Sequence, residues 1–396
     1  MIYLDNNATT RTDPAVVDAM LPFFSEQFGN ASSSHAFGSE VAGAIRQARR
    51  SLQALLGAAF DHEIVFTSGG TESNNTAILS ALATQDGRNE IVTTAVEHPA
   101  VLALVEQLAS SEIKTHLIPV DSLGRLDIEA FRHALGPRTA IASVMWANNE
   151  TGTLFPIAFL AKMARAAGAL FHTDAVQAVG KVPIDLKDSE IDMLSLSGHK
   201  LHGPKGIGAL YLRKGTRFKP LISGGPQERR RRGGTENVPA IVGLGKAAEL
   251  AAAALQVERG RVSALRDRLE QGVLRLGQCV ALGDIRNRLP NTANIAFAHL
   301  EGEAIVHRLN RAGIAASLGS ACSSGSMEPS HVLRAMNVSA ECLRGAVRFS
   351  LSRETTPEEI HRTVRELSDI VPGLRTMSQE KAAPLSHSSR STELIS

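Results

Sequence analysis

Leu194-Ser195-Leu196-Ser197-Gly198-His199-Lys200 sets a lysine behind an apolar run, with Ser197, Gly198 and His199 just before it. The run reads as a strand that ends at Ser-Gly, so Lys200 is carried to a strand end. An amine so placed can form a Schiff base with a carbonyl compound, and small polar neighbours can hold a phosphate.

Around this segment, short β-prone runs alternate with helical patterns. Strands are expected at 63–67, 91–94, 115–119, 140–145, 169–173, 193–197 and 209–212, the last at an antiparallel step. Helices are expected near 72–83, 99–110 and 157–167, and a long Ala/Leu/Glu/Arg-rich one over 238–276. The chain therefore reads as α/β, with a mostly parallel seven-stranded sheet in a large unit over 13–255. A smaller α+β unit, 1–12 with 256–376, has strands at 292–297, 314–316 and 346–351 and helices at 302–312, 329–335 and 357–370. It carries a Ser/Gly-rich loop over 317–331. Residues 377–396 are polar and Ser-rich, and are expected to form a disordered tail.

The 396 residues carry 42 basic and 40 acidic side chains, a net +2 that draws neither nucleic acid nor anionic membrane. Arg229–Arg232, set between glycine pairs, reads as a solvated loop or subunit contact rather than a nucleic-acid site. Three cysteines without ligand spacing fit a reducing compartment. No signal-like start is present, and apolar runs are broken before membrane-spanning length, so a cytoplasmic protein is expected.

Phe66-Thr67-Ser68-Gly69-Gly70-Thr71-Glu72 runs from strand through glycines into a helix start, where free N–H groups make an anion site. An ordinary turn with Thr71 as cap fits the same residues. Asp174 ends another strand, where open α/β sheets place ligands, with Gln177 three residues on; a helix cap is the alternative. His98 and Asn149 also follow strands; His98 can stack on a flat ring and move protons, or only cap the next helix. Arg348 alternates with Val347 and Phe349, and its fork suits a carboxylate; it can equally be an exposed strand residue. Cys322, in Gly319–Ser326, has no core to bury it and reads as a nucleophile whose thiolate is the reactive form. Cys279 and Cys342, beside apolar residues, read as structural.

With these residues in place, the chain resembles the cysteine desulfurases, pyridoxal-phosphate enzymes of the fold type I aminotransferase architecture. The likeness runs from Tyr3-Leu4-Asp5-Asn6-Asn7-Ala8-Thr9-Thr10 to Arg348-Phe349-Ser350-Leu351-Ser352. Trp146–Leu154 and Ser326–His331 are closer to the nitrogen-fixation branch than to the housekeeping one. Leu318, where the family commonly has Ser, and Gly203, where it has Ala, depart from the pattern without touching the chemistry.

The resemblance implies that Lys200 binds pyridoxal 5'-phosphate covalently. It gives the phosphate to Gly70, Thr71, Ser197 and His199, with Thr235 reaching in from the second subunit of a homodimer. It pairs Asp174 with the ring nitrogen, Gln177 and Asn149 with the ring-hydroxyl region and substrate, and stacks His98 on the ring. Arg348 would hold the carboxylate of L-cysteine, and Cys322 would take its sulfur as a persulfide for an iron–sulfur scaffold. Cys322 would also serve as a transient iron–sulfur ligand shared with that scaffold. Housekeeping desulfurases, selenocysteine lyases and aminotransferases share Lys200 and Asp174, so these residues alone leave them open. A protein that only carries sulfur would need Cys322 and not the lysine.

Overall fold

The computed structural model describes residues 1–109, 112–319 and 329–382. Its central sheet has seven strands: β2 (Ile64–Thr67), β3 (Glu90–Thr94), β4 (Lys114–Ile118), β5 (Thr139–Ser143), β6 (Leu170–Asp174), β7 (Met193–Ser197) and β8 (Gly208–Leu212), after a short β1 (Ile2–Tyr3). Each lies within two residues of its expected span. Their order is β2-β8-β7-β6-β5-β3-β4, and β8 runs antiparallel to both neighbours while the other pairings are parallel. β3, β5 and β7 are buried along their whole length, as strands covered by helices on both faces must be.

The helix Ala36–Leu56 was not among the expected elements. Val41, Ile45, Ala48, Leu52 and Leu55 form its buried stripe, and it ends at Gly57 in the left-handed region (φ 58°). It packs on the long helix Val238–Leu274 so closely that a Cβ on Gly245 would lie 2.4 Å from Ala48 Cα. That long helix includes Val238–Val257, with mean hydropathy 1.5, long and apolar enough to span a membrane. The expectation that no apolar run reaches such a length is corrected there. Its apolar side nonetheless has an internal partner: Ile241, Leu244, Ala247 and Ala248 are buried in the same core as Val41 and Leu52.

A second sheet joins β9 (Cys279–Leu282), β10 (Thr292–Phe297) and β12 (Ala346–Ser350), antiparallel in the order β12-β10-β9. β1 pairs in parallel with β11 (Ile314–Ala315), which brings the N-terminal segment beside this sheet. A separate apolar core lies here, including Leu4, Leu269, Ile295, Phe349 and Leu367. The last helix runs from Pro357 to Ala382, so 377–382 continue a helix where a tail was expected. Residues 383–396 lie outside the described residues.

Candidate active site

Five parallel strands of the central sheet present their C-terminal ends to one region. β2 leads to Ser68–Thr71, β3 to His98, β5 to Asn149, β6 ends at Asp174, and β7 leads through Ser197 to Lys200. A cavity of about 430 Å³ lies at the β2 and β7 ends, bordered by Gly69, Gly70, Thr71, Ser197, His199 and Lys205 but not by His98, Asn149, Asp174 or Lys200. The helix Gly70–Thr84 opens into it with Gly69 as N-cap and no side-chain cap, so its first N–H groups and dipole face the cavity. The backbone approach requires glycine: a Cβ on Gly70 would meet Val176 Cγ2 at 2.8 Å, and one on Gly208 would meet Gly69 Cα at 2.7 Å. His199 shares a hydrogen bond with Thr9 Oγ1 (3.1 Å), and burial with the nearby Lys200 and Lys205 pushes its pKa down to about 4. An uncapped fifteen-residue helix, glycine walls and a lysine at the rim suit a phosphate group.

Asp174 is buried and locked. Its Oδ2 accepts from Asn74 Nδ2 at 2.6 Å and its Oδ1 from Val176 N at 3.0 Å. Among the described residues no cationic side chain pairs with it at salt-bridge distance. A buried carboxylate without a counter-charge is costly, and a protonated ring nitrogen is a group that would satisfy it.

Lys200 donates to Asn7 O, and to Ala8 O at 2.7 Å. Burial, with Arg348 nearby, pushes its pKa down to about 8, against the pull of Asp5 and Asp174. Asn7 joins much of the site. Its carbonyl also accepts from Gln177 Nε2 (2.9 Å), and its side chain donates to Asn149 O (3.1 Å) and Thr292 Oγ1 (2.9 Å). Gln177 Oε1 in turn accepts from Lys181 Nζ at 2.9 Å. Lys181, pushed down to about 7 by burial and by Lys200, is a second amine in the same network.

His98 caps the helix Pro99–Leu108, its Nδ1 accepting from Ala100 N at 3.0 Å. The helix-cap reading of His98 is therefore the one this bond shows. The ring keeps open surface, yet it lies in a recess where lost hydration lowers its pKa, Asp174 opposing and Lys200 adding to the shift. Next to it, the buried Glu97 carboxyl is pushed up to about 8 by burial and by Asp174, despite its bonds from Met145 N and Thr94 Oγ1.

Arg348 is no exposed strand residue: it is 3% exposed. It donates to Asn149 O (2.9 Å), Gly319 O (3.0 Å) and Asp5 Oδ1 (2.8 Å). One carboxylate, that of Asp5, already rests on its fork. Thr235 is exposed and does not border the cavity. Cys322 and the greater part of the 317–331 loop lie outside the described residues. Cys342 is buried and Cys279 half-buried. Among the described residues no three His, Cys, Asp or Glu side chains gather as a metal site requires. Arg232 of the basic run is tied to Glu72 (3.1 Å), beside the helix start at Gly70.

Sequence reasoning missed Asp5, Asn7, Asn74, Glu97 and Lys181. Glu97 was within reach, since it sits beside His98, and so was Lys181, four residues after Gln177; Asp5, Asn7 and Asn74 act across long sequence separations.

A family model described as aminotransferase class-V matches residues 2–363. A cysteine desulfurase of Bradyrhizobium diazoefficiens is 75% identical over 378 residues, 96% of this chain and 96% of that protein. The cysteine desulfurase NifS of Azotobacter vinelandii is 61% identical, over 95% of this chain and 94% of that protein. Among solved structures, a NifS-like protein superposes with a TM-score of 0.89 at 37% identity, covering 94% of this chain and 100% of that one. A structure described as SspA in complex with cysteine gives 0.79 at 34% identity, covering 90% and 100%.

Proposed function

Because the chain belongs to the aminotransferase class-V family, whose members depend on pyridoxal 5'-phosphate, we propose that it is a cysteine desulfurase. The observation that carries the cofactor half of this reading is the strand-end trio of Lys200, buried Asp174 and the uncapped helix at Gly70. The substrate is supported by the names of relatives as much as 75% identical over nearly the whole chain.

Gly70, Thr71, Ser197 and His199 would hold the phosphate, with Thr235 of a second copy completing it. Asp174 would pair with the ring nitrogen, Gln177 and Asn149 with the ring-hydroxyl side, and His98 would stack on the ring. When bound, the cofactor supplies a sink for the electrons left as a proton leaves the substrate Cα. Lys200, with a pKa near 8, is an amine suited to take that proton and return one at neutral pH. Arg348 would share its fork between Asp5 and the substrate carboxylate. His98 would move the proton of the substrate thiol. The Cys322 thiolate attacks the substrate sulfur, so one C–S bond breaks and one S–S bond forms, and the carbon takes a proton. L-cysteine and a thiol become L-alanine and a persulfide, with no outside oxidant.

The working form is a homodimer; exposed Phe24, Phe28 and Phe37 are apolar surface suited to a subunit contact. The division into units 13–255 and 1–12 with 256–376 is supported by the separate core around the second sheet. The sulfur goes to an iron–sulfur scaffold in the cytoplasm, and the NifS relative favours clusters for nitrogenase.

The test of activity is alanine and sulfide release from L-cysteine with a thiol reductant, wild type against Cys322→Ala. Sulfide at the wild-type rate from the variant would remove Cys322 as acceptor. The nitrogenase role is tested by deleting the gene. Growth should suffer on dinitrogen and not on ammonium; equal loss on both would favour a housekeeping role.

A further inference from the structure

Gly319 and Ser330 flank the stretch of chain that carries Cys322; Glu150 bonds Ser330 and lies beside Gly319. Ser330 Oγ donates to Glu150 Oε2 at 2.6 Å. The same hydroxyl accepts from Val332 N (3.1 Å) and Leu333 N (3.2 Å), capping the helix His331–Ala335. With its lone pairs so engaged, its hydrogen is left to point at the carboxyl. On the other side, Gly319 has φ 93°, and a Cβ there would lie 3.2 Å from Glu150 Oε2. Arg348 Nη1 holds the Gly319 carbonyl at 3.0 Å and the neighbouring Asn149 carbonyl at 2.9 Å. Glu150 itself is 1% exposed. Burial raises its pKa, and Ser330, His331 and Arg348 draw it down. A buried carboxyl is costly to keep, and the reaction gives this one no proton to move and no ligand to hold.

We infer that Glu150 is a positioning residue, acting through Ser330 to fix the C-terminal end of the Cys322 segment, while Arg348 holds the other end at Gly319. The inference rests on the reading of Cys322 as sulfur acceptor. Misplacing a reacting atom by a fraction of an ångström slows its step without weakening the binding that precedes it. Glu150→Gln keeps a carbonyl acceptor for Ser330, whereas Glu150→Ala and Ser330→Ala remove the contact from opposite sides.

The experiment is a single turnover of the holoenzyme with L-cysteine. Cys322 persulfide is trapped by alkylation and measured by mass, and the absorbance change on adding cysteine is followed in parallel. Persulfide formation should slow about tenfold or more in Glu150→Ala and in Ser330→Ala, while the cysteine-induced absorbance change keeps its amplitude and midpoint. Glu150→Gln should restore the rate, and the double alanine variant should be no slower than the slower single. Wild-type rates in both single variants, equal loss in both readouts, or multiplying effects in the double variant would each overturn the inference. If Glu150→Ala does not fold, Ser330→Ala and Glu150→Gln carry the test by the same criteria. Sulfide release at the wild-type rate by Cys322→Ala would instead remove the underlying reading, so the two failures are told apart.

Discussion

Asn74 donates its side-chain amide to Asp174 Oδ2 at 2.6 Å, tying the second turn of the helix Gly70–Thr84 to the last residue of β6. That helix also begins the anion site at Gly70. One short bond thus sets the spacing between the helix start proposed to hold the phosphate and the carboxylate proposed for the ring nitrogen.

Asn74→Ala should therefore weaken cofactor binding without abolishing it. Losing a hydrogen bond to a charged group costs about 1.5–3 kcal/mol, which is about tenfold to a hundredfold in Kd. Titrating the apoprotein with pyridoxal 5'-phosphate measures this directly. An unchanged Kd would mean that the bond serves only the fold.

Lys200→Ala should fold, retain the cofactor without a covalent bond, and turn nothing over. Borohydride reduction and peptide mapping of the wild type should label Lys200. Lys181 and Lys205 also lie at the site, Lys181 in the hydrogen-bond network and Lys205 at the cavity rim. Label on either would reassign the amine. The lowered pKa near 8 further predicts that, when the apoprotein is mixed with pyridoxal 5'-phosphate and borohydride, labelling rises with pH over roughly 7 to 9 as the free amine loses its proton.

The strand ends were legible because apolar runs stop at Gly, Asp, Asn and His, and those stops are where ligands bind. The helix Ala36–Leu56 was not. Gly38 and Gly43 lower its helix propensity, and its N-cap is His35, whose Nδ1 accepts from Gly38 N at 3.2 Å, a weak signal in a sequence. Gly38 is there for packing: a Cβ would lie 2.3 Å from Ser33 O. Asn7 was not legible either, because its main-chain carbonyl meets Lys200 across 193 positions. Lys181 follows Gly180 and precedes Val182-Pro183, a context that gives no sign of burial; the fold buries its amine against Gln177. Arg348 was placed on the right strand, but β12 is buried on both faces, which alternation alone does not reveal.

Arg348→Ala should raise the KM for cysteine far more than it disturbs cofactor binding. It should also cost roughly 3 kcal/mol of stability, because Asp5 loses its buried partner. Arg348→Lys keeps the charge but not the fork, so it should recover stability better than it recovers KM. Steady-state kinetics with urea unfolding of each variant separates the two effects. A KM unchanged in both would make Arg348 a purely structural residue.

The pH dependence of stability should carry two opposed contributions from buried groups. Glu97 has its carboxyl pushed from 4.5 up to about 8, chiefly by burial, and its Oε2 has no hydrogen-bond partner among the described residues. The folded protein therefore holds a proton that the unfolded chain releases above about pH 4.5, so this contribution is complete at low pH and is lost as pH rises to about 8. Lys181 runs the other way, from 10.5 down to about 7. The unfolded chain binds the extra proton there, so stability is gained as pH rises from about 7 towards 10.5. Glu97→Gln removes the first limb: the variant should gain on wild type between pH 5 and 8, by about 3 to 4 kcal/mol. Lys181→Met removes the second, and its advantage over wild type should shrink above pH 8. Urea unfolding of the holoenzyme at pH 5, 7, 8 and 9 reads both slopes. A Glu97→Gln variant that tracks wild type across pH 5 to 8 would show that this carboxyl is ionised in the fold over the whole range.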